Sequence, residues 1–206
     1  MAPAPEGPRA LADTEVRDED WDGQEIQGLH FEKVDFVDID FTGSRIKDCT
    51  FHECTFRLVR LNTSSFDSCA FTSCRFTRST FFETAFGACK MVGAVFEKCT
   101  FTMLTVSGGD WSFTDLAKAD LKGSRFADVR MRETDLSGAS VKDGTLTGVD
   151  LTGAVLEGAD LSDCDLTGSD LSTMDPTTVR LRGARVGWMQ AVQIAGSLGL
   201  EVVADQ

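Results

Sequence analysis

Residues 66–86 read FDSCAFTSCRFTRSTFFETAF, with phenylalanine at 66, 71, 76, 81 and 86. The same spacing extends in both directions without a slip. From Ile26 to Leu171 there are thirty positions five apart, and every one is apolar. At an apolar background of 42% the odds of such a run arising by chance are on the order of 10⁻¹¹, which makes it a repeat signal. Two residues before each large side chain, from Leu29 onward, stands a small or apolar residue and never a charge, as at Thr84, Ala94, Gly109, Ala119 and Ala159. The other three positions are polar, with Asp common just before the large residue and Gly common two after it.

A period of five matches neither the α-helical repeat nor the two-residue alternation of a strand. It fits a coil whose short extended sides turn the large residue and its small partner inward. The chain then turns a corner at the Gly-rich position, where a positive φ costs glycine nothing. Such coils must stack to satisfy their backbone groups and bury the apolar column. Trp111, the largest core residue, has Gly109 as its inward partner, as close packing requires.

Beyond the repeat, Pro176 falls where the next large side chain was due, which predicts a break in the ladder, with the register recovering briefly at Leu181, Gly183, Ala184 and Val186. Residues 188–200 (WMQAVQIAGSLGL) switch to helical spacing, with Met189, Val192, Ala195 and Leu198 on one stripe. This predicts a helix capping the open end of the solenoid. Its apolar surface exceeds what one core-facing stripe needs, so a dimer contact through Trp188, Val192, Ile194, Ala195 and Leu198 is expected. The acidic, Pro-bearing residues 1–20 read as a disordered tail, leaving 21–187 as the solenoid and 188–206 as helix and tail.

The remaining composition narrows the function. The 206 residues carry a net charge of −13, which argues against direct binding to nucleic acid or an anionic membrane. No export signal or membrane-length apolar run is present, and seven cysteines without one point to a reducing cytoplasm. All seven cysteines occupy the small inward column at spacings that are multiples of five. They read as small buried hydrophobes rather than metal ligands. His30 and His52 take outward positions beside no patterned nucleophile, and no phosphate-binding or metalloprotease motif occurs. No catalytic residue, metal or cofactor is therefore expected. Charge is uneven along the chain: residues 141–175 hold eight acids against Lys142 alone.

The alternation of small residue, Asp, Leu or Phe, polar residue and Gly resembles the pentapeptide-repeat proteins. That resemblance implies an all-β solenoid, a right-handed quadrilateral β-helix with twenty residues per coil and about eight coils here, ending in a short α-helix. Twenty-residue coils would stack Phe36, Phe56, Phe76 and Phe96 into one aromatic ladder. Within the family, the segments CKMVGAVF (89–96) and RMRETDL (130–136), the ending from Asp175 to Val186, and the uninterrupted register are similar to the mycobacterial and Qnr-type fluoroquinolone-resistance proteins. This implies a homodimer, joined at the C-terminal helices, that mimics duplex DNA in the DNA-binding saddle of gyrase. Outward carboxylates would then stand in for phosphates, the candidates being Asp110, Asp115, Asp120, Asp135, Asp150, Asp160, Asp165 and Asp170. A protein-interaction scaffold with no topoisomerase role is the other reading the fold allows.

Overall fold

The computed structural model describes residues 10–203. Eighteen three-residue strands lie between Ala10 and Thr147, followed by one helix, Trp188–Ser197. Every strand pairs in parallel with the segment twenty residues away, as in Phe31 with Phe51 and Phe56 with Phe76. The chain thus winds a square tube with four faces. Face one carries the large residues Phe31, Phe51 and Phe71, and face two carries Phe36, Phe56 and Phe76. Face three carries Phe81 and Phe101, and face four carries Ile46, Phe66 and Phe86. The number of turns differs slightly from the eight expected. Beyond Thr147 single bridges continue the stacking as far as Asp165 with Arg185.

One continuous core fills the tube. The aromatic ladder on face two forms as the period predicts: Phe36–Phe56, Phe56–Phe76 and Phe76–Phe96 stack at 4.9, 4.5 and 5.0 Å with interplanar angles of 9°, 10° and 8°. A parallel ladder links Phe31, Phe51 and Phe71 on face one. Six of the seven cysteines are fully buried and Cys99 is half-buried. Apart from that of Cys164, their thiols donate to carbonyls of the coil below, as Cys74 does to Phe51 O at 3.4 Å.

Three expectations need correction. The solenoid begins at least at Ala10, because Ala10–Ala12 pairs with His30–Glu32 and Glu15–Arg17 with Asp35–Val37. Leu11, Val16 and Trp21 continue the period of five toward the N-terminus, and Trp21 donates its indole N–H to Glu19 at 2.7 Å, which accommodates a charge in the small column. Residues 1–9 of the expected tail lie outside the described residues. The corners are not a glycine preserve: twenty-one non-glycine residues take them with φ near +50 to +60°, among them Leu58, Lys98 and Phe113.

The third correction concerns the helix, which docks through an amide. Gln190 is buried, and its Nε2 donates to Leu166 O at 2.7 Å and Ser169 O at 2.8 Å. Its Oε1 accepts from Gly187 N at 2.7 Å. The end of the solenoid presents unpaired carbonyls as well as apolar atoms, and a side-chain amide satisfies what a methyl group cannot. Ile194, one turn on, packs on the core. The stripe predicted to cap the solenoid is instead partly turned outward, with Met189 70% and Leu198 51% exposed.

The Pro176 break falls where it was expected, and the register recovers after it. Among the described residues no bridge joins Val155 to Asp175, but Asp160 pairs with Arg180 and the ladder resumes.

Candidate functional site

The outward Asp before each large residue has a local task. Its carboxylate accepts the backbone N–H two residues on: Asp115 from Ala117 at 3.0 Å, Asp135 from Ser137 at 2.8 Å, Asp150 from Thr152 at 3.1 Å and Asp170 from Ser172 at 2.9 Å. Asp110, Asp120, Asp160 and Asp165 do the same with Ser112, Lys122, Ser162 and Thr167. These Asx turns fix each carboxylate on a rigid scaffold. Where an Asp carboxyl pKa is lowered, these turns contribute. Hydrogen bonds from the Ser172 hydroxyl and N–H hold the Asp170 carboxyl below its ordinary value, and those from Thr177 do so for Asp175.

The eight candidate carboxylates do not form one surface. Asp110, Asp150 and Asp170 lie on face one, Asp115 and Asp135 on face two, Asp120 and Asp160 on face three, and Asp165 on face four. Four of them are already paired within the chain. Asp110 meets Arg130 at 2.9 Å, Asp150 meets Arg132 at 2.5 Å, Asp160 meets Arg180 at 3.3 Å, and Asp165 meets Arg185. In Asp165 the Arg185 guanidinium is the largest cause of a lowered pKa. A carboxylate already holding an internal Arg offers less to a partner's Arg, since docking must displace or share that ion.

Asp115 and Asp135 differ from these. They neighbour one another across successive coils of face two. Among the described residues neither has an ion-pair partner. Glu157 and Asp175, farther along the same face, are likewise exposed and unpaired among the described residues. The last half of face two is therefore a row of free acid, with Lys118 the one basic residue interleaved. Glu157 and Asp175 were outside the predicted set because Glu157 follows its large residue and Asp175 precedes a proline. Asp175 stands forty residues, two coils, after Asp135, and that register was the available signal.

No catalytic constellation accompanies this surface. No group of three or more His, Cys, Asp or Glu is arranged to hold a metal ion among the described residues. Burial pushes the Cys164 thiol up to about 12 and that of Cys99 to about 11, so neither supplies a thiolate near neutral pH. His30 and His52 are exposed, beside Thr50 and Glu53. No described helix is long and apolar enough to cross a membrane.

A square parallel β-solenoid with a fixed polar exterior is a scaffold for recognition by surface. The model of the pentapeptide repeat region matches residues 79–156. No curated protein matches the chain significantly by sequence. Among solved structures, a trypsin-treated variant of QnrB1, a plasmid-mediated fluoroquinolone resistance protein, superposes with TM-score 0.77 at 25% identity, covering 95% of this chain and 98% of that one. Full-length QnrB1 matches with TM-score 0.66 at 21% identity, covering 93% and 100%. The chain thus shares the β-solenoid fold of QnrB1 over nearly its whole length.

Proposed function

We propose that this protein binds DNA gyrase at the DNA-binding saddle of the A subunit as a mimic of duplex DNA, and thereby modulates the action of fluoroquinolones. The observation that carries the reading is the row of carboxylates without ion-pair partners on face two, Asp115, Asp135, Glu157 and Asp175, of which the three aspartates are held by backbone N–H groups. Coil spacing of about 4.8 Å sets their separation along the rod, and the Asx turns remove the entropy cost of ordering the three aspartates. A basic saddle built to bind phosphates finds regularly placed negative charge there. The fold shared with a fluoroquinolone resistance protein supports the same direction.

A homodimer completes this reading. Trp188 is 74% exposed and lies with exposed Met189, Leu198 and Leu200 at the C-terminal end, an apolar surface unusual on a monomer. Val192, Ile194 and Ala195 are half-buried against their own chain, so Trp188 and Leu198 are the stronger contact candidates of the predicted five. Two rods joined there would form a pillar of about 80 Å, the length of roughly 24 base pairs, with the acidic halves at its centre. The expected compartment is the cytoplasm, where gyrase works, with no direct contact to nucleic acid.

Titration of the purified protein into gyrase supercoiling reactions, with and without ciprofloxacin, tests this reading. Inhibition of supercoiling or loss of drug-induced cleavage at micromolar protein supports it. No effect on either leaves the scaffold reading in its place.

A further inference from the structure

Between the coils at 90–109 and 110–129 the ladder is interrupted on one side only. Elsewhere on face three, successive coils are laced by a repeating set of backbone bonds. Lys118 N donates to Ser137 O, Ser140 N to Ala119 O, Leu121 N to Ser140 O and Gly123 N to Lys142 O, all between 2.8 and 2.9 Å. One coil earlier the equivalent donors, the N–H groups of Lys98, Asp120, Phe101 and Met103, make no such bonds, and no bridge joins Thr100 to Asp120. The other faces stay closed there: Met91 N donates to Asp110 O at 2.7 Å, Phe96 N to Asp115 O at 3.1 Å and Arg125 N to Leu104 O at 2.8 Å.

Side chains report the same gap. Ser79 Oγ and Thr84 Oγ1 donate to carbonyls twenty-three residues back, at Phe56 and Leu61. The equivalent acceptor for Ser124 is Phe101 O, across the gap, and Ser124 Oγ is buried without a partner among the described residues. Cys99 and Ala119, which face each other across it, are half-buried where most of the small column is fully buried.

The far side of the tube is pinched. Gly108 and Gly109 take consecutive positive φ angles of +65° and +89°. A Cβ on Gly109 would stand 2.0 Å from Cys89 O, so only glycine permits this approach. Beside the pinch, Trp111 lies flat over Phe96, with ring centroids 6.2 Å apart, against 4.5–5.0 Å within the face-two ladder. Its Nε1 is buried and has no partner among the described residues. A double ring laid over a phenylalanine, at the step from aromatic to leucine coils, acts as a wedge.

We propose that the rod is jointed here, opening on face three about the Gly109 pinch with Trp111 as the wedge. The joint separates the coils before it from the free acidic row, letting the two parts change angle against a curved partner. Only three faces are latched, so local opening requires breaking fewer bonds than at coils bridged on all four faces.

Pulse labelling with N-ethylmaleimide and native-state hydrogen exchange test this on the intact chain. Cys99 should react at least about tenfold faster than Cys69 or Cys89, and the Lys98, Phe101, Met103 and Asp120 amides should exchange at least about a hundredfold faster than those of Lys118, Leu121 and Gly123. In Trp111→Leu, or Trp111→Phe if that variant folds poorly, removal of the wedge should narrow both differences severalfold. Uniform protection in the parent protein would overturn the joint. Unchanged differences in a folded Trp111 variant would overturn the wedge.

Discussion

Residues 10–107 and residues 108–187 wind the same tube from different chemistry. The first part contains sixteen of the eighteen strands and stacks phenylalanine on phenylalanine. Its corners are mostly non-glycine residues held at positive φ, a strain on the order of 1 kcal/mol each. The second part has a core mainly of leucine and two regular strands, with single bridges elsewhere. Its Asp residues occupy backbone N–H groups locally, in competition with the ladder. Glycine takes a larger share of its corners, at 123, 138, 148, 153, 158, 168 and 183, beside non-glycine residues at 113, 118, 128, 133, 143 and 163. Stacking drives the first part and turn chemistry shapes the second. The turns bring carboxylates with them, so the acidic surface arises from the same residues that close the corners.

The largest test of that contrast is in the core. Phe76→Ala, at the centre of the ladder, should cost about 3–5 kcal/mol in denaturant unfolding, and Phe76→Leu less, because leucine fills the same position in later coils. A Phe76→Leu loss as large as the alanine loss would show that ring stacking, not volume, holds the first part.

Corner substitutions come next. Gly123 sits at φ +69° with open space around a would-be Cβ, so Gly123→Ala should cost about 1 kcal/mol from conformation alone. Leu58, exposed at φ +59°, should show the reverse, with Leu58→Gly stabilising by about 0.5–1 kcal/mol. Thermal melts of the two variants read the corner strain of each part directly.

The pH dependence is the smallest effect and belongs to the second part. The carboxyls of Asp110, Asp150, Asp160, Asp165, Asp170 and Asp175 all have lowered pKa values in the folded chain. Below the ordinary Asp value near 4 the unfolded chain therefore binds more protons than the folded one. Stability should be level from about pH 7 to 5 and fall as pH drops through about 4 and below. Exchange protection should decline first in residues 108–187; earlier loss in residues 10–107 would contradict the assignment.

Much of this was legible in the chain. The period of five decided the fold, the aromatic ladders and the burial of the cysteines. The ion pairs were readable as well once a coil is twenty residues, since Asp110 and Arg130, Asp160 and Arg180, and Asp165 and Arg185 are each twenty apart. The first coil was masked by charge, though Leu11, Val16 and Trp21 kept the register. Gln190 was hidden because a periodicity of apolar residues ignores an amide that satisfies carbonyls. The interruption on face three has no sequence signature, since the register runs unbroken from Lys98 to Gly123 and the gap arises from ring packing and the Gly108–Gly109 backbone.

The central claim is that free carboxylates on face two, rather than acidity in general, engage gyrase. The direct measurement is gyrase affinity of the variant Asp115→Asn, Asp135→Asn, Glu157→Gln and Asp175→Asn, beside a control with Asp110, Asp150, Asp160 and Asp165 changed to Asn. Both remove four charges, and asparagine keeps the Asx acceptor. The face-two variant should bind at least about tenfold more weakly, with a shallower salt dependence, while the control changes affinity by less than about threefold. Equal losses in the two variants, or the larger loss in the control, would contradict the account.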